Sequence, residues 1–107
     1  MLEQAKALEG QLSSMLALLD IDGMPADERK LIQTIKRLLI DMRLDARDYE
    51  YAETRIEQLR LGATVRKTLE RLRQTIVAAS ERNVFGAVDV AHLGAQIEYM
   101  IANIRQE

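Results

Sequence analysis

The amino-acid sequence predicts an all-α protein, a four-helix antiparallel up-down bundle. Apolar residues recur at steps of three and four, and no stretch alternates in the manner of a strand. The 107 residues include only five glycines and one proline, and 4% are aromatic, which is too few for a small β-sandwich or barrel. Short connections between helices favour antiparallel neighbours. We assign residues 1–107 to a single helical-bundle domain.

The first predicted helix spans 2–20. Its apolar residues recur at steps of four, three and four, and so share one face: Leu8, Leu12, Met15 and Leu19. Gly23 follows this series, and glycine is the usual C-terminal signal because it adopts a positive φ at little cost. Pro25 then suits the first turn of the next helix, where Asp27 and Glu28 place negative charge at the positive end of the helix dipole.

The second and third predicted helices, 25–44 and 47–81, share a nearly continuous apolar pattern. An unbroken helix from Ala26 to Leu59 would be about 50 Å long, whereas its neighbours reach only about 30 Å. A compact monomer therefore needs a break. Without one, a long or kinked helix would extend into a dimer and bury its overhang against a second chain.

Three residues mark where the break is expected. Asp45 stands in an apolar slot and Asp48 follows it, and either aspartate is able to cap a new helix. Gly62, where the register slips, is the alternative. Because a buried, unpaired carboxylate is costly, Asp45 is expected to cap a helix, to pair with an arginine or to act as a functional acid.

The last predicted helix spans 88–106, after a stretch that lacks periodicity and ends in turn residues. Asp89 is its expected N-cap. His92, the only histidine, follows three residues later and is expected to hydrogen-bond back to the cap. A di-metal site in a bundle needs two Glu-x-x-His pairs, and the sequence has none.

The expected core consists of apolar side chains on the inward stripes of these helices. They are Leu8, Leu12, Met15, Leu19, Leu31, Ile35, Leu38, Met42, Ile56, Leu59, Leu69, Leu72, Ile76, Leu93, Ile97, Met100 and Ile104. Tyr49 fits the core series, whereas Tyr51 lies on another face and is expected to be exposed. Interfaces favour exposed tyrosines, so Tyr51 is a candidate partner contact.

The composition argues against several functional classes. The absence of cysteine excludes disulfides, thiolate nucleophiles and zinc knuckles, and is compatible with a reducing cytoplasm. No basic leader precedes an apolar run, and charges interrupt every stretch before the roughly 18 residues of a membrane span. The glycines stand singly, so the sequence has no glycine-rich phosphate-binding loop. No recognisable motif places a general base near a serine. We expect a cytoplasmic protein that is not an enzyme and has no cofactor, metal, membrane span or small-molecule substrate.

A basic run between Arg60 and Arg73 is the strongest charge feature. Five basic residues stand there against one glutamate, a local net charge of about +4. The whole chain carries a net charge of -2, which opposes general phosphate binding, and the run matches no helix-turn-helix. Nucleic acid is therefore an alternative partner only, with Arg66, Lys67 and Arg71 as candidate contacts.

The connection before the last helix holds Val84 and Phe85, the only phenylalanine. Either Phe85 seals the end of the core, or the 82–87 loop is a recognition tip with both residues as partner contacts. A long amphipathic helix, a short turn with an apolar–aromatic pair and a closing helix together resemble the layout of enterocin- and pediocin-type bacteriocin immunity proteins. This resemblance implies a small cytoplasmic four-helix bundle that protects a producer cell by acting at the targeted sugar transporter.

Our leading hypothesis is a non-catalytic helical-bundle protein that acts through protein–protein interaction, including self-association as a homodimer. Helix faces or the 82–87 loop would bind the partner. The hypothesis is motivated by the lack of catalytic motifs and by an apolar pattern longer than one compact bundle. The alternatives are an immunity protein of the enterocin or pediocin type and a nucleic-acid-associated regulatory protein that uses the basic 60–73 helix.

Overall fold

The computed structural model describes residues 1–86, 88 and 90–104. These residues form four α-helices and no strand: α1 (Leu2–Ala17), α2 (Ala26–Glu50), α3 (Arg55–Glu81) and α4 (Ala91–Ala102). The predicted all-α, four-helix bundle is therefore confirmed. The molecule measures 47 × 21 × 19 Å, so it is elongated along its two long helices.

The long helices α2 and α3 pack against each other as an antiparallel hairpin, and each carries one shorter helix. The helix α1 runs antiparallel to α2: its N-terminal ammonium lies 3.3 Å from Glu50 Oε2, and Arg43 Nε lies 3.0 Å from Glu9 Oε2. The helix α4 runs antiparallel to α3, where Arg73 Nη1 donates to Glu98 Oε1 at 3.0 Å. With 16 and 12 residues, α1 and α4 are each too short to cover the full length of their neighbour.

Most of the expected core residues are buried between the inward stripes of the four helices. At the edge of the core, Met15, Leu19 and Leu31 are half-buried. Their neighbours Leu16 and Ile32 take the inward positions instead, exposed by 2% and 0%. A one-residue offset rotates a side chain by about 100°, so it moves a residue from the centre of a stripe to its flank.

The expected core position of Ile56 is wrong, because its side chain is 81% exposed. The helix α3 begins at Arg55 with a register of its own, which buries Val65 and Leu69. Ile56 falls on a different face of this helix, and Leu59 is half-buried. The apolar series that crosses from the second helix into the third is therefore interrupted by the turn of the chain.

The break between the two long helices lies at 51–54, where Thr54 caps α3. Thr54 Oγ1 accepts a hydrogen bond from the backbone N–H of Glu57 at 3.1 Å. In return, Glu57 Oε2 accepts one from the backbone N–H of Glu53 at 3.3 Å. This reciprocal arrangement resembles a capping box and satisfies backbone donors at the helix start.

The residues predicted to mark the break all lie inside helices, so that prediction is wrong. Asp45 and Asp48 belong to α2, and Gly62 is buried within α3. An aspartate caps a helix only where the backbone before it leaves the helical conformation. The backbone of α2 stays helical through both aspartates and leaves that conformation only after Glu50.

The first helix ends at Ala17, earlier than predicted, and Gly23 does not have a positive φ. Instead, the N–H of Gly23 donates to Asp20 Oδ1 at 3.3 Å, and a Cβ at Gly23 would come within 2.6 Å of Asp20 Oδ2. Because this contact is with the flexible end of the exposed Asp20 side chain, a residue with a Cβ would need only to displace that carboxylate. Pro25 is the N-cap of α2 rather than part of its first turn.

A Schellman motif closes α3. Asn83 adopts a left-handed φ of 59°, its N–H donates to the Ser80 carbonyl at 2.9 Å, and the N–H of Val84 donates to the Ala79 carbonyl at 3.0 Å. This turn directs Val84 and Phe85 into the core, where their exposures are 8% and 5%.

The helix α4 is shorter than the predicted span 88–106. Val90 precedes it without a side-chain cap, and the predicted cap, Asp89, lies outside the described residues, as do 105–107. None of the helices in the described part of the chain is both long and apolar enough to span a membrane.

Candidate partner-binding surface

One side of α2 lies opposite its buried stripe, with α1 along one flank. Along it, five residues recur at alternating steps of three and four: Arg37, Ile40, Leu44, Arg47 and Tyr51. Side chains at this spacing form one stripe, which we call the outer face of α2. Ile40, Leu44 and Tyr51 are exposed by 50%, 39% and 71%. Single exposed apolar residues are normal, but here three share one stripe, with Arg47 between Leu44 and Tyr51.

Opposite charges line the two edges of the outer face. Lys36 and Arg43 lie on the edge beside α1, where Arg43 pairs with a glutamate of that helix. Asp41 and Asp48 lie on the other edge, near Asp45, which contacts α3. The outer face therefore presents apolar side chains between a basic and an acidic edge.

A groove between α1 and α2 adjoins the basic edge. It has two parts with volumes of about 330 and 310 Å³, and the ion pair between Glu9 and Arg43 lies where they meet. Ile40 lines one part, and Leu44 and Tyr51 line the other. The groove thus enlarges the apolar surface toward α1.

A second groove, of about 400 Å³, lies between α3 and α4. Its walls include Ile76, Val77 and Ile97, with Arg73 and Glu81 at the rim. The volume is at the lower end of the range for ligand pockets. No charge pattern among its described residues indicates which ligand or partner group it would take.

The candidate contacts from the sequence fall in different places. Tyr51 is exposed on the outer face of α2, as expected. Val84 and Phe85 belong to the core, which agrees with the interpretation that Phe85 seals the end of the bundle. Their role as partner contacts stays an untested prediction.

The basic candidates lie on α3, on a different helix from Tyr51. Lys67 and Arg71 are exposed and stand one turn apart. Arg66 is half-buried, and its Nε and Nη2 atoms have no hydrogen-bond partner among the described residues. Lys67 and Arg71 therefore share one stripe, and Arg66 belongs to the neighbouring side of the helix.

Asp45 makes a hydrogen bond across the interface between α2 and α3. Thr68 Oγ1 donates to Asp45 Oδ2 at 2.9 Å. Burial raises the pKa of Asp45, the Thr68 hydrogen bond lowers it, and the nearby carboxylates of Asp41 and Asp48 raise it, so that the net shift is upward. Asp45 lies inside α2 and caps no helix, so that expectation is wrong. Among the described residues it also has no arginine partner. The Thr68 hydroxyl is what accommodates this carboxylate in an apolar slot.

His92 is exposed in the first turn of α4. Its expected hydrogen bond to the helix cap involves Asp89, which lies outside the described residues. Within the described part of the chain, no three His, Asp or Glu side chains are grouped so as to hold a metal ion.

Sequence reasoning identified Tyr51 but not the rest of the outer face. The signal was present as the regular spacing from Arg37 to Tyr51, yet the stronger inward stripe of the same helix runs beside it. Exposure separates the two stripes, and exposure depends on where α1 and α3 lie. Comparison of the chain with protein-family profiles, curated proteins and solved structures found no match, so its function is inferred from this surface.

Proposed function

We propose that this protein is a non-catalytic helical bundle that acts by binding another protein, including a second copy of itself as a homodimer. The outer face of α2 supports this most, because Ile40, Leu44 and Tyr51 remain exposed on one stripe. Contiguous exposed apolar side chains are typical of interaction surfaces. The same proposal places the protein in the cytoplasm, in keeping with the absence of cysteine.

The charges around the outer face fit a protein partner better than a membrane or a nucleic acid. The basic residues, Lys36 and Arg43 on one edge with Arg37 and Arg47 on the face, stand beside an acidic edge, Asp41 and Asp48. An anionic lipid surface or a phosphate backbone would meet the acids as well as the bases. A protein surface is able to complement both signs at once.

Sedimentation equilibrium over a range from low to high micromolar concentration tests the self-association. The average mass should rise above that of the 12.2 kDa chain as concentration increases. Leu44→Glu places a charge in the centre of the outer face and should shift the equilibrium to monomer. Leu18→Glu, at a leucine that is 86% exposed after α1, is the matched control and should leave it unchanged. A wild-type chain that stays monomeric throughout would contradict self-association.

A second candidate function, nucleic-acid binding, is supported by the exposure of Lys67 and Arg71 on one stripe of α3. Fluorescence anisotropy with a labelled duplex should then show binding that weakens steeply with salt. Each alanine substitution of these residues, or of Arg66, should lower the magnitude of the salt slope, by about 1 for a direct phosphate contact. Binding that changes neither with salt concentration nor with these substitutions would contradict nucleic-acid binding as a function.

The immunity-protein hypothesis stays a prediction that depends on layout alone. Expression of the chain in a sensitive strain should protect the cells against small cationic bacteriocins of the enterocin or pediocin type. If growth inhibition is the same with and without expression, the hypothesis fails.

A further inference from the structure

We propose that the outer face of α2 binds the same face of a second copy, with the two α2 helices parallel and a two-fold axis between them. This inference rests on the proposed function and names both the partner and the surface. Two observations support it: the spacing of the residues along the outer face and the charges on the edges of that face.

The outer face has the spacing of a coiled-coil seam. With Arg37 at heptad position a, Ile40 falls at d, Leu44 at a, Arg47 at d and Tyr51 at a. In a parallel pair each of these residues faces its own counterpart. The apolar contacts would therefore be made by Ile40, Leu44 and Tyr51, while the arginine stems pack alongside.

The edges supply the charge complementarity. Lys36 and Arg43 fall at position g, and Asp41 and Asp48 fall at position e. In a parallel pair, a g residue lies beside the e residue of the next heptad of the other helix. Lys36 then lies beside Asp41 of the partner subunit, and Arg43 lies beside Asp48 of the partner subunit. The two-fold axis repeats both pairs, so these edge charges form four opposite-charge pairs. Glu50, also at position g, pairs instead with the N-terminal ammonium beside α1. In the seam, Arg37 and Arg47 each face the same arginine of the partner subunit.

An antiparallel pair on the same seam would bring like charges together. Centred on Leu44, it places Arg43 against the partner's Arg43 and Asp41 against the partner's Asp48. Juxtaposed like charges at an interface cost binding free energy and reject that arrangement. The parallel orientation makes four opposite-charge edge pairs against two like pairs, those of Arg37 and Arg47, so the charge pattern favours it.

The structure leaves room and free charges for this pairing. The buried stripe of α2, where Met42 and Ala46 are fully buried, lies opposite the outer face, and α1 borders one flank of that face. Among the described residues, Lys36 and Asp41 have no ion-pair partner. Arg43 pairs with α1, and Asp48 Oδ1 lies 3.7 Å from Arg47 Nη2, but the Arg43 and Asp48 side chains are still 45% and 53% exposed.

The length of the seam sets the expected strength. It covers only two heptads, and each copy contributes three large apolar side chains. An interface of this kind belongs to the weak class, so we expect a Kd on the order of micromolar. Self-association should therefore be measured at micromolar concentrations and above.

Two charge-reversed variants test the pairing. Lys36→Glu/Arg43→Glu makes both edges acidic, and Asp41→Lys/Asp48→Lys makes both edges basic. By sedimentation equilibrium, each variant alone should be monomeric at concentrations where the wild type is dimeric. An equimolar mixture should form a heterodimer, because the acidic edges of one meet the basic edges of the other. Lys67→Glu on α3 is the matched control and should stay dimeric.

Circular dichroism of each variant establishes that loss of dimer is not loss of fold. Restored association in the mixture is a further safeguard, since misfolded chains would not recover it. If both charge-reversed variants remain dimers like the wild type, the wild type uses another surface. This inference then fails, while the proposed self-association stands. If the wild type itself is monomeric, both fail.

Cysteine cross-linking tests the orientation, since the chain has no cysteine of its own. In the parallel pair, position 37 meets itself across the axis, so oxidised Arg37→Cys should yield a disulfide-linked dimer. In an antiparallel pair, position 37 would instead lie near Tyr51 of the partner subunit. Ala95→Cys, exposed on α4, is the control and should remain monomeric. Cross-linking at 37 that is no faster than at 95 overturns the parallel pairing.

Discussion

Asp45 lies in an apolar slot of α2, where its carboxyl loses part of its hydration. Because burial raises the pKa of Asp45, the folded chain holds this proton more tightly than the unfolded chain does. Protonation of Asp45 stabilises the folded chain fully below the ordinary aspartate pKa of 3.8. This stabilisation is lost as the pH rises through the higher pKa that Asp45 has in the folded state. At neutral pH the carboxylate is compensated by Thr68, its one hydrogen-bond partner among the described residues.

Asp45→Asn should therefore raise the free energy of unfolding at pH 7. The amide oxygen is able to keep the hydrogen bond from Thr68, while the charge is gone. Water still reaches this site, so the gain should stay below about 1 kcal/mol. Urea unfolding should show that the gain disappears near pH 3, where the wild-type carboxyl is protonated too. Asp22→Asn, at an exposed aspartate before α2, is the matched control. An equal gain for Asp45→Asn at both pH values would contradict this account.

At the scale of the elements, the start of α3 depends on the side chain of Thr54. Thr54→Ala removes the acceptor for the N–H of Glu57 and should lower the free energy of unfolding by about 1 kcal/mol. Thr64→Ala, on the exposed side of the same helix, is the control and should cost little or nothing. Chemical denaturation of both variants measures the difference. Equal effects would mean that Thr54 does not act as a cap.

The end of α3 depends on the backbone conformation of Asn83 and not on a capping side chain. Asn83 holds a left-handed φ of 59°, which alanine adopts only with strain and glycine adopts freely. Asn83→Ala should therefore lower the midpoint of thermal unfolding, by an amount that corresponds to about 1 kcal/mol. Asn83→Gly should leave it nearly unchanged. A glycine variant as unstable as the alanine variant would show that the amide side chain, not the backbone, matters.

These elements also show what the sequence is able to predict. The helical stripes around Leu12, Leu38, Leu72 and Ile97 follow from spacing alone, because a helix repeats every 3.6 residues. The boundaries were missed because they depend on single hydrogen bonds, such as the one that Thr54 accepts. The rest of the outer face of α2 was missed because exposure is a property of the packed bundle.

At the scale of the whole molecule, the outer faces of the two long helices differ. Every helix of a bundle keeps one side toward solvent, and on α3 that side carries Lys67 and Arg71 together with the exposed Ile56. On α2 it carries Ile40, Leu44 and Tyr51 instead. The exposed apolar residues of α2 support the proposal that a partner covers this side of the bundle.

A dilution series of two-dimensional ¹H–¹⁵N NMR spectra tests the central claim most directly, because it reports every backbone amide at once. As concentration rises through the micromolar range, we predict that the amide signals along the outer face of α2, from Arg37 to Tyr51, shift together with a single dissociation constant. The signals of the groove between α3 and α4 should stay in place. Spectra that do not change with concentration, or shifts confined to α3 and α4, would contradict this account.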